Sequence, residues 1–173
     1  DVSSCALNIS GDITNTGTLR TGTGSITLTG DWISSGSFVS GTGTVTFNGS
    51  GVQVLNTGGL VNAFYNITHN AAGTIQLATD PIDINNNFTN SAGTFTTNNL
   101  NMTVGKDWNN DPAATFTAGT STVTFDGANQ SILGSTTFYN FSKITTSADN
   151  LYFFFFFTYL QLVTHSFTMQ VAS

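Results

Sequence analysis

The feature that most restricts this chain is a long internal repeat. The stretch "GDWISSGSFVSGTGTVTFNGSGVQVL", Gly30 to Leu55, returns as "KDWNNDPAATFTAGTSTVTFDGANQSIL", Lys106 to Leu133. Both read Asp-Trp, a turn, a Phe, then Gly-Thr-x-Thr-Val-Thr-Phe-x-Gly, then Gln. Asp31 matches Asp107, Val45 matches Val123 and Gln53 matches Gln130, at an almost constant offset. "FYNIT" at Phe64–Thr68 then recurs as "FYNFS" at Phe138–Ser142, at a slightly smaller one. The drift falls in Gly, Asn and Ser segments, where insertions are tolerated. A chain that repeats itself folds as stacked similar units rather than around one irregular core.

A shorter period lies inside the long one. "ITLTGDW" at Ile26–Trp32 echoes "LNISGDI" at Leu7–Ile13, and "LNMTVGKDW" at Leu100–Trp108 echoes "IDINNNF" at Ile82–Phe88. Each unit alternates apolar and polar over a few residues and turns at Gly or Asn. That alternation predicts half-buried strands, and about 20 residues with two or three short strands predicts one coil of a solenoid. The expected fold is all-β, a parallel β-solenoid of about eight short coils. Asn in "INNNF" and "TNNLN" suits corners in the left-handed conformation. The competing architecture is a β-sandwich with strand exchange between subunits, but tight hairpins call for Asn-Gly or Asp-Gly loops. Only Asn48-Gly49 and Asp126-Gly127 qualify, and they are copies of one another. The chain is read as one domain, 1–173, with long units at about 30–104 and 105–173 and a partial unit at 7–29.

Composition narrows the function. Charged residues make up 7% of the chain, against about 25% in ordinary proteins. The net charge is -6, and the three cations, Arg20, Lys106 and Lys143, are scattered. Phosphate backbones and anionic membranes are therefore disfavoured partners. No run of about 20 apolar residues offers a spanning helix. Cys5, the single cysteine, permits no internal disulfide, and burial is its expected state. The chain starts at Asp1 without a signal peptide, as a processed secreted protein or a fragment would.

The unit "GDWxxxGxFxxGTGTVTFxGxxxQ…FYNIT" resembles the tandem repeat of large secreted bacterial surface proteins of adhesin type. The resemblance covers about Gly11 to Asp149. It implies a parallel β-helical stalk or fibre at the cell surface or outside the cell, and it implies shape and location more than activity. After Asn150 the pattern departs from the family: "LYFFFFFTYLQLV" stands where polar corners should follow.

Candidate sites give little chemistry. Asp31 and Asp107 are two copies of one turn position, which suits an Asx turn better than a catalytic carboxylate pair. Asp80, Asp83 and Asn85 could share a cation, but no known calcium loop is present. His69 and His165 have no partner at triad or metal spacing. No catalytic residue, cofactor or metal is assigned, and the chain is read as a non-enzyme. The arrays Thr42, Thr44, Thr46 and Thr120, Thr122, Thr124 would suit an ice-binding face only if stacked in adjacent coils. Their spacing places them about four coils apart. Trp32 and Trp108 are expected to face inward, which weakens sugar stacking. Neither terminus carries a helical or charged cap, so open coil ends are expected.

In the strip after Asn150, side chains alternate between faces, and a strand apolar on both faces needs cover on both. Tyr152, Phe153, Phe154, Phe155, Phe156, Phe157 and Tyr159 are the expected intersubunit contact. The resulting expectation is a non-catalytic structural subunit of an extracellular filament or cell-surface fibre, polymerising head to tail with itself. Surface glycans are a further candidate partner. The alternative is a carbohydrate-binding adhesin module or an ice-binding solenoid.

Overall fold

The structure, a computed structural model, describes residues 3–145, 149–154 and 161–171. Its described residues form strands, turns and bends, with no helix. In chain order the first coils are β1 (Ala6–Ile9), β2 (Ile13–Asn15), β3 (Thr18–Arg20), then β4 (Ser25–Leu28), β5 (Trp32–Ser34), β6 (Ser37–Val39). The third coil has only β7 (Thr44–Phe47) and β8 (Val52–Asn56). Three regular coils follow: β9 (Asn66–His69), β10 (Thr74–Leu77), β11 (Ile82–Ile84); β12 (Phe88–Asn90), β13 (Gly93–Thr96), β14 (Met102–Val104); and β15 (Trp108–Asn110), β16 (Ala114–Thr117), β17 (Thr122–Phe125). The last strands are β18 (Gln130–Gly134), β19 (Thr136–Thr145), β20 (Leu151–Phe154) and β21 (Gln161–Val171).

Every strand pairs with its counterpart one coil away, and every pair is parallel. This makes a β-solenoid of about seven turns with about 21 residues per coil, and it excludes the antiparallel sandwich. The first wall is an eight-stranded sheet, β1-β4-β7-β9-β12-β15-β18-β20. The second wall is β2-β5-β8-β10-β13-β16 and ends there among the described residues. The third wall begins as β3-β6 and resumes as β11-β14-β17-β19-β21. Segment 57–64 bridges that gap: Asn62 bonds to β6 and Phe64 bridges to Ile84 of β11.

Alternation along each strand sends every second side chain inward, and parallel register stacks like on like. One inward column of the first wall runs Leu7, Ile26, Val45, Ile67, Phe88, Trp108, Ile132, Phe153. The six middle members are at most 2% exposed. Trp32 and Trp108 are fully buried, as expected from the Asp-Trp strand. Rings of neighbouring walls meet in this core: Trp108 lies 4.8 Å from Phe116 and 5.3 Å from Phe138. Each such buried aromatic contributes about 1.5–3 kcal/mol.

Corners are tight because consecutive coils touch there through backbone. A Cβ on Gly127 would lie 1.6 Å from the carbonyl oxygen of Gly105 in the coil below. Asn98 and Asn99 adopt φ of 51° and 68°, so "TNNLN" forms the left-handed corner its composition suggested. The corners of "INNNF" have ordinary φ values and use side-chain ladders instead: Asn86 Nδ2 donates to Asn66 Oδ1 at 2.8 Å.

The long repeat does not span a whole number of coils. β7 belongs to the first wall and its copy β17 to the third. β5 belongs to the second wall and its copy β15 to the first; β6 belongs to the third and its copy β16 to the second. One unit thus advances three turns and two further walls, close to the expected spacing of about four coils but not a whole number of them. Repeat counterparts share strand, register and inward face, yet point in different directions from the axis.

Candidate functional site

The Asp-Trp aspartates are structural. Asp31 Oδ1 accepts from Val54 N at 2.7 Å, and Asp107 Oδ1 accepts from Ser131 N at 2.8 Å. Each carboxylate ties its own corner to the next coil, a bond between coils in place of the local Asx turn the sequence suggested. Gln53 and Gln130 are a second matched pair. Gln53 Nε2 donates to Gly30 O at 2.6 Å, and Gln130 Nε2 to Lys106 O at 2.7 Å. Among the described residues no cluster of three acidic, His or Cys side chains is placed to hold a metal ion. Asp80 bonds to its neighbour Thr79. Burial pushes the Asp83 carboxyl up, and the Asp126 carboxylate adds to that shift. Cys5 is exposed, contrary to expectation, because β1 beside it has, among the described residues, a neighbouring strand on one side only.

A polar column runs through the core, unannounced by the sequence pattern. The second inward column of the first wall starts apolar with Ile9, Leu28 and Phe47 and then becomes His69, Asn90 and Asn110. His69 Nδ1 lies 2.9 Å from Asn90 Oδ1, and Asn110 Nδ2 donates to Ser135 O at 2.6 Å. Asn90 Nδ2 donates to Asn110 Oδ1 at 2.8 Å and to Thr115 O at 3.0 Å. Its amide hydrogens are thus both engaged, so its oxygen faces His69 and Nδ1 carries the proton. His69 Nε2 is then a buried acceptor without a partner. Burial lowers the His69 pKa below 6.5. The repeat counterpart of His69 is Lys143, also buried, whose Nζ donates to Gln130 Oε1 at 2.7 Å and to Gly127 O. Burial lowers its pKa as well, with Asp149 and Asp126 opposing the shift.

The expected contact strip is only partly within the described residues. Tyr152, Phe153 and Phe154 lie on β20 and are 47%, 37% and 50% exposed. Phe153 continues the inward column, 6.2 Å from Phe141, while Tyr152 and Phe154 stack on each other at 6.3 Å on the outer face. Phe155, Phe156, Phe157 and Tyr159 lie outside the described residues. Two exposed apolar residues that the sequence alone did not single out join the same end. Phe167 stacks on Phe141 at 5.1 Å and is 53% exposed, and Met169 is 64% exposed. Their signal lies in "HSFTMQ": alternation with Phe and Met in register with Phe141 and Lys143.

A second feature appears where the second wall stops. β16 pairs with β13 on one edge and, among the described residues, with no strand on the other. Thr97 N donates to Thr117 O, so the alternation of a parallel ladder aims the N–H and C=O of Phe116 across the open edge. An open notch of about 360 Å³ lies there, lined by Asn110, Asp111, Thr115, Phe116, Ser135 and Thr137 among others. The first unit treats the equivalent place differently. Phe38 of β6 is the counterpart of Phe116, and its N–H is met by Asn62 Oδ1 at 2.9 Å, while Asn62 Nδ2 donates to Gly36 O at 2.9 Å. Phe64 stands eleven positions after Gln53, whereas Phe138 stands eight after Gln130, so the second segment is shorter by three. Just before Phe138 it brings Thr136, which turns inward, where the first unit has Asn62.

Threonines of adjacent coils stack on one another. Thr27, Thr46, Thr68 and Thr89 stack in four consecutive coils on the outer face of the first wall. On the second wall Thr94 and Thr96 lie beside Thr115 and Thr117. Adjacent-coil stacking exists because each array recruits threonines from strands that do not read as Thr-x-Thr-x-Thr.

No protein-family model, curated protein or solved structure matches the chain. No helix among the described residues is long and apolar enough to cross a membrane.

Proposed function

We infer that the chain is a non-catalytic structural subunit of an extracellular filament or cell-surface fibre, built by axial stacking of solenoid coils. One observation carries this reading. The inward columns continue in register to β20 and β21, where Phe153, Phe167 and Met169 stand partly or largely exposed and, among the described residues, no further strand pairs beyond. Such an end is completed by another coil of the same kind, which supplies backbone partners and covers the rings. A neighbouring copy stacked head to tail offers one: at the other end Leu7 is 38% exposed on β1, a strand paired on one side only among the described residues. Contacts of this heterologous type do not close and give linear assemblies. The low charge of the chain adds little repulsion between stacked copies. The extracellular location rests on the repeat's resemblance to secreted surface proteins.

Electron microscopy of the purified protein tests the reading, with Phe167→Asp as the control. Filaments that lengthen with concentration and are lost in the variant support it. Monodisperse single particles at high concentration sink it.

One observation favours a second reading, an ice-binding face. The row Thr27, Thr46, Thr68, Thr89 is regularly spaced by the coil repeat. Thermal hysteresis, abolished by Thr46→Tyr and Thr68→Tyr together, is its test. A freezing point that follows solute concentration alone removes it.

A further inference from the structure

The tight corner after β7 forces a chemical liability on the chain, and one side chain contains it. Asn48-Gly49 is the single Asn-Gly pair in the sequence. Contact between coils requires the glycine: a Cβ on Gly49 would lie 2.3 Å from Thr29 O in the preceding coil and 2.8 Å from Cδ of Gln53. Gly49 is buried, whereas Asn48 before it is exposed. An asparagine followed by glycine is prone to lose its amide, because no Cβ shields the next backbone nitrogen from the side-chain carbonyl. In that reaction Gly49 N bonds to Asn48 Cγ and gives up its hydrogen, the Cγ–Nδ2 bond breaks, and Nδ2 leaves as ammonia. Water then opens the succinimide ring at either carbonyl and leaves aspartate or isoaspartate. The attack needs the face of the Asn48-Gly49 peptide turned toward Cγ, so the Gly49 N–H must leave its acceptor.

The backbone is held on both sides of Asn48. Gly49 N donates to Gln53 Oε1 at 2.8 Å, and Asn48 N donates to Leu28 O at 2.8 Å. Gln53 is 1% exposed, and its Nε2 donates to Gly30 O at 2.6 Å, which fixes the carboxamide with its oxygen toward Gly49. The second unit supplies the contrast. Its corner reads Asp126-Gly127. There Gln130 Oε1 accepts from Lys143 Nζ at 2.7 Å instead of from the glycine. His69, at the place of Lys143, bonds to Asn90 and leaves Gln53 to serve the corner. Asparagine thus stands where the glutamine oxygen holds the glycine N–H. Aspartate, which has no amide to lose, stands where it does not.

We propose that Asn48 is a latent modification site, deamidated by water through a succinimide with Gly49, held closed by Gln53 and released when this corner opens. The aspartate product makes the first corner like the second. The isoaspartate product lengthens the backbone by a methylene at a corner already packed on the preceding coil, so it parts the coils there. All the contacts involved lie within one copy, so the inference is independent of axial stacking.

Peptide mapping by mass spectrometry follows Asn48 in the whole protein and in the peptide VTFNGSGV, residues 45–52, at mildly alkaline pH. Deamidation in the protein should be at least about tenfold slower, the worth of one retained hydrogen bond of this kind. Gln53→Leu removes the acceptor and should raise the rate at Asn48 at least about tenfold by the same measure. Asn98 and Asn99 should show no rise, and the circular dichroism spectrum should stay unchanged. If that variant fails to fold, the unaltered protein decides in urea below its unfolding transition: the rate at Asn48 should climb in step with hydrogen exchange of the Gly49 amide. Equal rates in protein and peptide overturn the proposal. So does a folded Gln53→Leu protein that deamidates at the original rate or at all asparagines alike, and so does a rate that ignores Gly49 exchange.

Discussion

Trp108 donates its indole Nε1–H to Thr136 Oγ1 at 3.0 Å, whereas its repeat counterpart Trp32 has a buried Nε1 with no partner. The same three-residue deletion that opens the notch over β16 brings Thr136 inward to satisfy Trp108. In the first unit Asn62 serves the strand edge and leaves Trp32 unmet. The two units exchange one unsatisfied group for another.

That exchange predicts unequal mutational costs. Thr136→Val leaves a buried indole N–H without an acceptor and should destabilise by about 1–3 kcal/mol. Trp32→Phe loses ring volume but no hydrogen bond, so it should cost less than Trp108→Phe, which also strands Thr136. Urea midpoints of the three variants measure this. Equal costs for the two tryptophans would show that the bond to Thr136 contributes nothing.

The His69 column predicts loss of stability in acid. Burial keeps the folded-state pKa of His69 below the unfolded value of 6.5. Both states are neutral above that value, so stability is full there. As pH falls through 6.5, the unfolded chain takes up a proton that the folded chain refuses, and stability declines until the lower folded pKa is reached. The slope approaches at most about 1.4 kcal/mol per pH unit. His69→Gln retains a donor for Asn90 and does not titrate, so its stability should be flatter as the solution is acidified from neutral. Parallel pH curves for the two proteins would rule out His69 as the source.

Asp83 predicts the opposite sign. Its carboxyl is pushed above 3.8 by burial and by the Asp126 carboxylate. A group raised in this way stabilises below its unfolded pKa, and the contribution disappears as pH rises through the folded pKa. Asp83→Asn should therefore raise the melting temperature at neutral pH and change it little below pH 3.8. A lower melting temperature at neutral pH would mean that the carboxylate has a partner worth more than its repulsion.

The corner glycines separate by what lies beneath them. Gly127→Ala forces a Cβ to 1.6 Å from Gly105 O, and the coils must part by enough to cost about 1–3 kcal/mol or more. At Gly51 an added methyl meets nothing within 4 Å, so Gly51→Ala should be neutral or stabilising by about 0.4–1 kcal/mol. Thermal denaturation of the pair is the comparison, and similar losses would deny that coil contact sets the glycine requirement.

Much of this protein is local and hence readable from residue order. Alternation in "TVTF" buries Val45 and Val123 and turns threonines outward because a strand has period two. Asn98 and Asn99 mark a left-handed corner because few other residues tolerate it. The inward tryptophans follow from their place in the Asp-Trp strand. What residue order could not reveal is which wall each strand joins. That depends on the summed length of corners. The long unit is not a whole multiple of a coil of about 21 residues, so each copy returns to a different wall. The threonine stacks, the change of one core column from Phe47 to His69 and the joining of Phe167 to Phe141 all depend on that winding. Sequence determined the strand, the face and the corner, because those are set by neighbours along the chain. Only the tertiary structure decided which residues meet between coils, because three residues more or less in one corner move everything after it around the axis.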